Sequence, residues 1–311
     1  NLYNLKTNRK TEMTKPKLSF WQIWNLSFGF LGVQIGYSLQ NSNTSSIFES
    51  LGADVSHLSY FWLAAPLAGM IVQPIVGLFS DGTWTRWGRR IPYILGGSLI
   101  SALALVLMPN CPKLLAFAPL AMGAFILLFM DLSFNVTMQP FRALVADMLD
   151  DSQKTQGYVV QTFLINLGAV VGAILPLVMT WLGVSDEAAP GHVSPHIAYS
   201  YYAGGAILLL TVLVTSFKTR EYPPGEFARY NNLSEEDAKP VSFVGLMRNV
   251  PGVMVRLGVT QFFSWAALFL MWTYLKPAIT GVVTDHATGE VLSAGATQTW
   301  VGVLNGTYPI P

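Results

Sequence analysis

Long apolar runs recur along this 311-residue chain, separated by short polar turns and by one longer polar stretch. A bilayer core of about 30 Å takes about 20 apolar residues as a helix. Seven segments have that length and character: residues 19–41, 57–79, 92–110, 115–141, 158–182, 199–217 and 254–276. The first turns polar at its end, in LQNSNTSS. The fourth contains FMDLSFNVTMQPFR, residues 129–142, which sets Asp131, Asn135 and Arg142 in apolar surroundings. Aromatic residues gather near several ends (Trp21, Trp24, Tyr60, Trp62, Tyr199, Tyr201, Tyr202), as they do at membrane–water interfaces. The pattern predicts an all-α membrane protein.

Composition agrees. Apolar residues make up 52% of the chain and charged residues 11%, against about 25% in ordinary soluble domains. The mean hydropathy is +0.43. A formal net charge of +1 gives no reason to expect nucleic acid as a partner. The single cysteine, Cys111, excludes an intrachain disulfide framework, and the four histidines lack metal-ligand spacing. No metal or soluble cofactor is expected. The polar, basic start of the chain is unlike a cleavable signal peptide.

Charge sets the orientation. Of the 18 Lys and Arg residues, only Lys113 and Lys276 fall on one side of the predicted spans; all others fall before the first span, between the second and third, at or after the inner end of the fourth, or between the sixth and seventh or at their inner ends. The positive-inside rule places the N-terminus in the cytoplasm. The chain divides into a cytoplasmic tail (1–18), a six-span unit (19–220), a cytoplasmic linker (221–253), a seventh span (254–277) and an external segment (278–311). Six spans, a long inner loop and another span are how a twelve-span transporter of two similar halves begins, and the chain reads as the N-terminal part of one.

The loop after the second span reads GLFSDGTWTRWGRR. Gly77, Asp81, Arg86, Gly88, Arg89 and Arg90 together resemble the loop signature of the major facilitator superfamily, with the gap between Asp and Arg widened by four residues. That widening is similar to sucrose–proton symporters and their relatives among the glycoside–pentoside–hexuronide:cation symporters. SYFWLAAPLAGMIVQPIVGLFSD, with Trp62, Pro66, Gln73 and Pro74, resembles their second span. DLSFNVTMQPFRALVAD, with Asp131, Asn135, Pro140, Arg142, Ala143 and Asp147, resembles their fourth. The resemblance implies a major facilitator fold and symport of a disaccharide-like glycoside, of maltose or sucrose type, across the cell membrane. The histidine of sucrose symporters before the second span falls on Val55 here, and its role is not carried over to His57.

In physical terms the loop is a latch: glycines let helices approach, and ion pairs hold an inner gate. Asp147, at the inner end of the fourth span, is expected to pair with Arg89 or Arg90. Ionisable residues inside a span are costly and usually face a bundle interior or a watery path. At about 100° per residue, Asn135 lies about 40° and Arg142 about 20° around the helix from Asp131, while Arg142 is about 16 Å further along. The three predict a polar stripe, with an acid at mid-depth and a base toward the cytoplasm. Because desolvation favours a neutral carboxyl, Asp131 is the candidate for proton coupling. The resemblance gives it that role and gives Arg142 a part in sugar binding. The alternative is that Asp131 and Arg142 form buried ion pairs with other helices.

Gln34, Gln40, Asn41, Gln161 and Asn166 are further candidates for sugar hydroxyls, although satisfying backbone or neighbouring helices explains such amides equally. Trp265, with Trp272 and Tyr274, is placed to stack on a sugar face or to pack. No basic cluster lies at mid-membrane, so a neutral sugar is expected rather than an organic phosphate. The readings that compete with proton symport are sodium coupling and a non-transporting sugar sensor on the same scaffold. No constellation of nucleophile, base and orienting group suggests an enzyme. The transporter is expected to act as a monomer in the bilayer.

Overall fold

The computed structural model describes residues 14–54, 64–231, 250–280, 282, 289 and 291–307. The readings on Lys6, Arg9, Lys10, Val55, His57, Tyr60, Trp62, Lys239 and Arg248, and on the side chains of Pro66 and Trp272, lie outside what is described.

The long helices are α1 (Phe20–Ser50), α2 (Ala64–Gly82), α3 (Ile91–Leu107), α4 (Pro119–Met148), α5 (Lys154–Trp181) and α6 (Pro195–Lys218). They are followed by short α7 (Pro224–Tyr230), by α8 (Gly252–Ile279) and by α9 (Ala294–Thr307). Among the described residues there is no β-strand, only a bridge between Thr85 and Gly88. Among the described residues, five helical stretches are long and apolar enough to cross a membrane: Ile91–Leu114, Pro119–Met148, Asp151–Trp181, Pro195–Lys218 and Gly252–Met271.

The helix α1 starts on a capping box, in which Ser19 and Gln22 each satisfy the other's backbone N–H. It then runs nine residues past the predicted end of its span. The reason is its position. α1 is packed against α5 and α6, and also against α4, so its polar end meets protein rather than lipid. Gln40, Ser42, Asn43, Thr44 and Ser45 are all buried, and Asn43 donates to the Leu39 carbonyl at 2.9 Å. A helix buried on most sides needs no amphipathic stripe. Hydropathy alone ends the span where the structure does not.

Small residues set the spacing in this core. A methyl group at Gly168 or Gly172 of α5 would sit 2.5 Å from the carbonyl oxygens of Leu31 and Ile35 on α1. On the other flank of α1, the Thr215 hydroxyl donates to Asn25 O at 2.8 Å and accepts from Gly29 N at 2.7 Å. Small faces of this kind are how helices associate where hydrophobic burial gives no net drive. The layer is completed by α2 on α4, α3 on α4 and α3 on α6. Ser101 donates to Ser133 at 2.8 Å across the α3–α4 contact, and Phe30 stacks on Phe141 with centroids 5.4 Å apart.

α8 behaves differently. No residue from Gly252 to Met271 is buried, whereas Lys276, near its far end, is. The segment after it is helical over 294–307 and packs on α5 and α1.

Candidate functional site

Two polar clusters occupy the six-helix core and its basic end; a third ties α8 and α9 to α1 at the opposite end. At the basic end, the loop between α2 and α3 is closed by ion pairs. Arg90 reaches Asp81 at 2.5 Å through Nη2, Asp147 at 2.9 Å through Nε, and Ser80 Oγ at 2.5 Å through Nη1. Arg89 reaches Asp147 at 2.6 Å and Asp81 at 3.8 Å. The sequence expectation that Asp147 pairs with these arginines matches this geometry. Gly88 has φ of +113°, which strains other residues, and a Cβ there would collide with the Glu221 carboxylate.

Glu221, just beyond α6, was not picked out by sequence reasoning. Its carboxylate accepts from the backbone N–H groups of Arg89 (2.9 Å), Arg90 (2.8 Å) and Ile91 (2.9 Å). Arg90, at the cap position of α3, makes no side-chain cap of its own. A distant carboxylate therefore caps α3, favoured by the free N–H groups and the positive end of the helix dipole. The only signal in the sequence is an acid directly after the last basic residues of the sixth span. Phe227 of α7 lies under the Arg89 guanidinium, 4.2 Å from it. Arg86 stands apart from the network: it is exposed, 5.8 Å over the ring of Trp87, with no ion pair among the described residues. Gly77 lies on α2 with open space at its Cα.

Inside the bundle, Asp131 is 2% exposed. One of its oxygens accepts a short hydrogen bond from Gln40 Nε2. The other, Oδ2, has no hydrogen-bond partner among the described residues, and neither has Gln40 Oε1. One turn on, Asn135 donates to the Asp131 carbonyl at 2.8 Å and accepts from Gln73 Nε2 of α2 at 2.6 Å. Gln40, Asp131, Asn135 and Gln73 thus make a polar chain from α1 through α4 to α2. Arg142 is exposed and makes no hydrogen bond or ion pair among the described residues. Neither Asp131 nor Arg142 forms the buried ion pair that was the alternative reading.

The remaining candidates are scattered. Gln161 is buried and donates to Phe141 O at 3.3 Å, a backbone role. Gln34, Asn41 and Asn166 are half-buried on α1 and α5, and Gln34 packs beside Gly168. Trp265 is 53% exposed, on the stretch of α8 in which no residue is buried. Gln73 carried family resemblance without a role; its contact with Asn135 supplies one.

At the opposite end, Lys276 of α8 is buried between Glu49 Oε2 at 2.5 Å and Ser46 Oγ at 3.0 Å. Gln298 of α9 donates to Ser42 O at 2.7 Å and Asn43 Oδ1 at 2.9 Å. One of the two basic residues on the side poor in Lys and Arg is therefore a tie between α8 and α1. Among the described residues no group of His, Cys, Asp and Glu is placed to hold a metal.

Apolar helices packed through small residues, with most buried polar side chains turned to one another or to backbone inside the bundle, define a multi-pass helical membrane protein. Comparison with known proteins narrows this. The profile described as MFS/sugar transport protein matches residues 47–288, and the chain belongs to that family. It is 25% identical over 293 residues to a general alpha-glucoside permease of Schizosaccharomyces pombe, covering 88% of this chain and 50% of the relative. It is 27% identical over 267 residues to a sucrose transport protein of Oryza sativa subsp. japonica, covering 77% and 49%. A sucrose transport protein of Arabidopsis thaliana is 31% identical over 157 residues, covering 45% and 26%. The chain spans about half the length, or less, of these curated relatives.

Proposed function

We propose that this chain contributes one six-helix half, with the opening helices of the other, to a carrier that moves a disaccharide-like glycoside of maltose or sucrose type together with protons. The basic end faces the cytoplasm of a cell membrane, and the carrier works by alternating access. The family and the permeases it resembles support the sugar. The observation that carries the coupling is Asp131: a carboxyl removed from water, without a cationic partner among the described residues, with one oxygen held by Gln40 and one unmatched. A proton satisfies the unmatched oxygen when the site is closed and leaves when the cavity opens to water. Gln40 then holds the carboxyl rather than the sugar. Asn135, braced by Gln73, and the free guanidinium of Arg142 remain on the same helix to meet sugar hydroxyls, with Gln34, Asn41 and Asn166 on the facing helices.

The unmatched Gln40 Oε1 beside Asp131 supports a second reading, in which the pair of oxygens holds a sodium ion. The test is made on the complete carrier in cells lacking sugar uptake. Adding maltose or sucrose is expected to make the medium more alkaline, and Asp131→Asn to abolish this while the protein still reaches the membrane. Sugar entry that needs sodium and moves no protons would establish the second reading. Absence of sugar entry would overturn both.

A further inference from the structure

The basic end of the bundle carries a cleft whose lining includes none of the Asp131 cluster. It lies between the loop after α2, the start of α3 and the end of α6, with a volume of about 590 Å3. Arg86 and Arg220 both line it. Among the described residues neither makes an ion pair or hydrogen bond, although the wall contains an acid. That acid, Glu221, is already taken by the three backbone N–H groups at the start of α3. The cleft therefore has two uncompensated positive charges. Trp84 and Trp87, 37% and 51% exposed, frame its mouth, as amphipathic rings do at headgroup level.

Below the arginines the wall turns apolar, with Ile91, Leu95 and Phe217. It continues along two helical rows. Leu99 and Leu103 follow Leu95 at four-residue steps on α3, and Leu213 and Leu210 precede Phe217 on α6. All four leucines are exposed. Exposed leucines on both helices thus continue from the apolar wall of a cleft that holds a pair of unpaired guanidiniums.

We infer that this cleft is a binding site for an anionic phospholipid of the leaflet at the basic end. The phosphate and acidic headgroup lie between Arg86 and Arg220, and an acyl chain lies along the rows of α3 and α6. Charge complementarity selects an anionic occupant, because unpaired guanidiniums bind phosphate oxygens through two parallel N–H groups. The apolar groove selects a lipid over a soluble phosphate. Arg86 also gains a function that the latch does not give it. The inference requires the membrane-spanning fold; it is independent of which ion or sugar is carried.

The test uses the complete carrier, purified in mild detergent and measured by native mass spectrometry. Phosphatidylserine, phosphatidylglycerol, phosphatidylcholine and inorganic phosphate are each titrated. One anionic lipid is expected to bind in preference to phosphatidylcholine. Arg86→Gln and Arg220→Gln are each expected to weaken it about fivefold, and the double variant about twentyfold. Lys17→Gln, an exposed basic residue at the same end but outside the cleft, is expected to leave it unchanged. Both arginines are exposed, so the variants should fold, which an unchanged unfolding temperature in lipid-free detergent checks. Selectivity of the unaltered protein is a readout that needs no variant. Equal retention of phosphatidylcholine, undiminished binding by the double variant, or phosphate binding as tight as lipid would each overturn the inference.

Discussion

The most consequential single contact is that between Gln40 and Asp131. A polar group withdrawn from water and deprived of its partner costs about 1–3 kcal/mol, whereas removing both partners costs much less. Gln40→Leu is therefore expected to destabilise the protein by about that amount, and Gln40→Leu with Asp131→Leu by clearly less than the sum of the two singles. Thermal unfolding of the four variants of the cycle in detergent measures the coupling. Additive losses would mean that Gln40 does not hold the carboxyl. Asp131 itself was legible from sequence because a carboxylate amid leucine and phenylalanine is conspicuous. Its partner was not. Gln40 reads as one amide among five, and only the fold shows which carboxyl it faces. Gln73 was hidden in the same way, since helical spacing cannot relate α2 to α4.

Between helices, the cap of α3 carries the clearest expectation. Glu221→Gln keeps the shape but loses the negative charge at a helix N-terminus, a change of about 0.5–2 kcal/mol. The expected outcome is lower thermal stability together with faster proteolysis around residues 83–91, where Glu221 holds the backbone N–H groups of Arg89, Arg90 and Ile91 next to the Thr85–Gly88 bridge. Unchanged cleavage would show that the ion pairs of Arg89 and Arg90 hold the loop unaided. Helix existence was readable along most of the chain, because apolar length is a strong signal. Helix ends were less so: α1 continues to Ser50 and α4 to Met148 because their last turns face protein, which hydropathy cannot distinguish from water. The helix over 294–307 was missed for the same reason. Its polar face, with Gln298, meets the polar end of α1.

Across the whole molecule, α8 and α9 touch the six-helix half at the end away from the latch. The buried Lys276–Glu49 pair and Gln298 hold that contact. Removing one partner of a buried ion pair costs about 3–5 kcal/mol, so Glu49→Gln is expected to loosen this end specifically. In the complete carrier, a cysteine at Ser50 should then react several-fold faster with a membrane-impermeant maleimide. The exchange Glu49→Lys with Lys276→Glu should restore the slow rate. Failure of the exchange to restore it would show that the pair does not hold the two helices together. In the sequence, Lys276 stood out only as an exception to the charge asymmetry; its partner lies 227 positions earlier and could not be inferred from spacing.

The cap on α3 also orders events during synthesis. Ile91 and the carboxylate that caps it are 130 residues apart in the chain. While the first five helices emerge and insert, the amino end of α3 lacks this acceptor, and the loop before it is held by its own bridge and by the ion pairs with Asp81 and Asp147. Only when α6 has been threaded and Glu221 has left the ribosome can the cap of α3 form. A nascent chain halted before that residue should leave the loop open to protease, and one halted a few tens of residues later should protect it, so that assembly of the half is completed by its last helix.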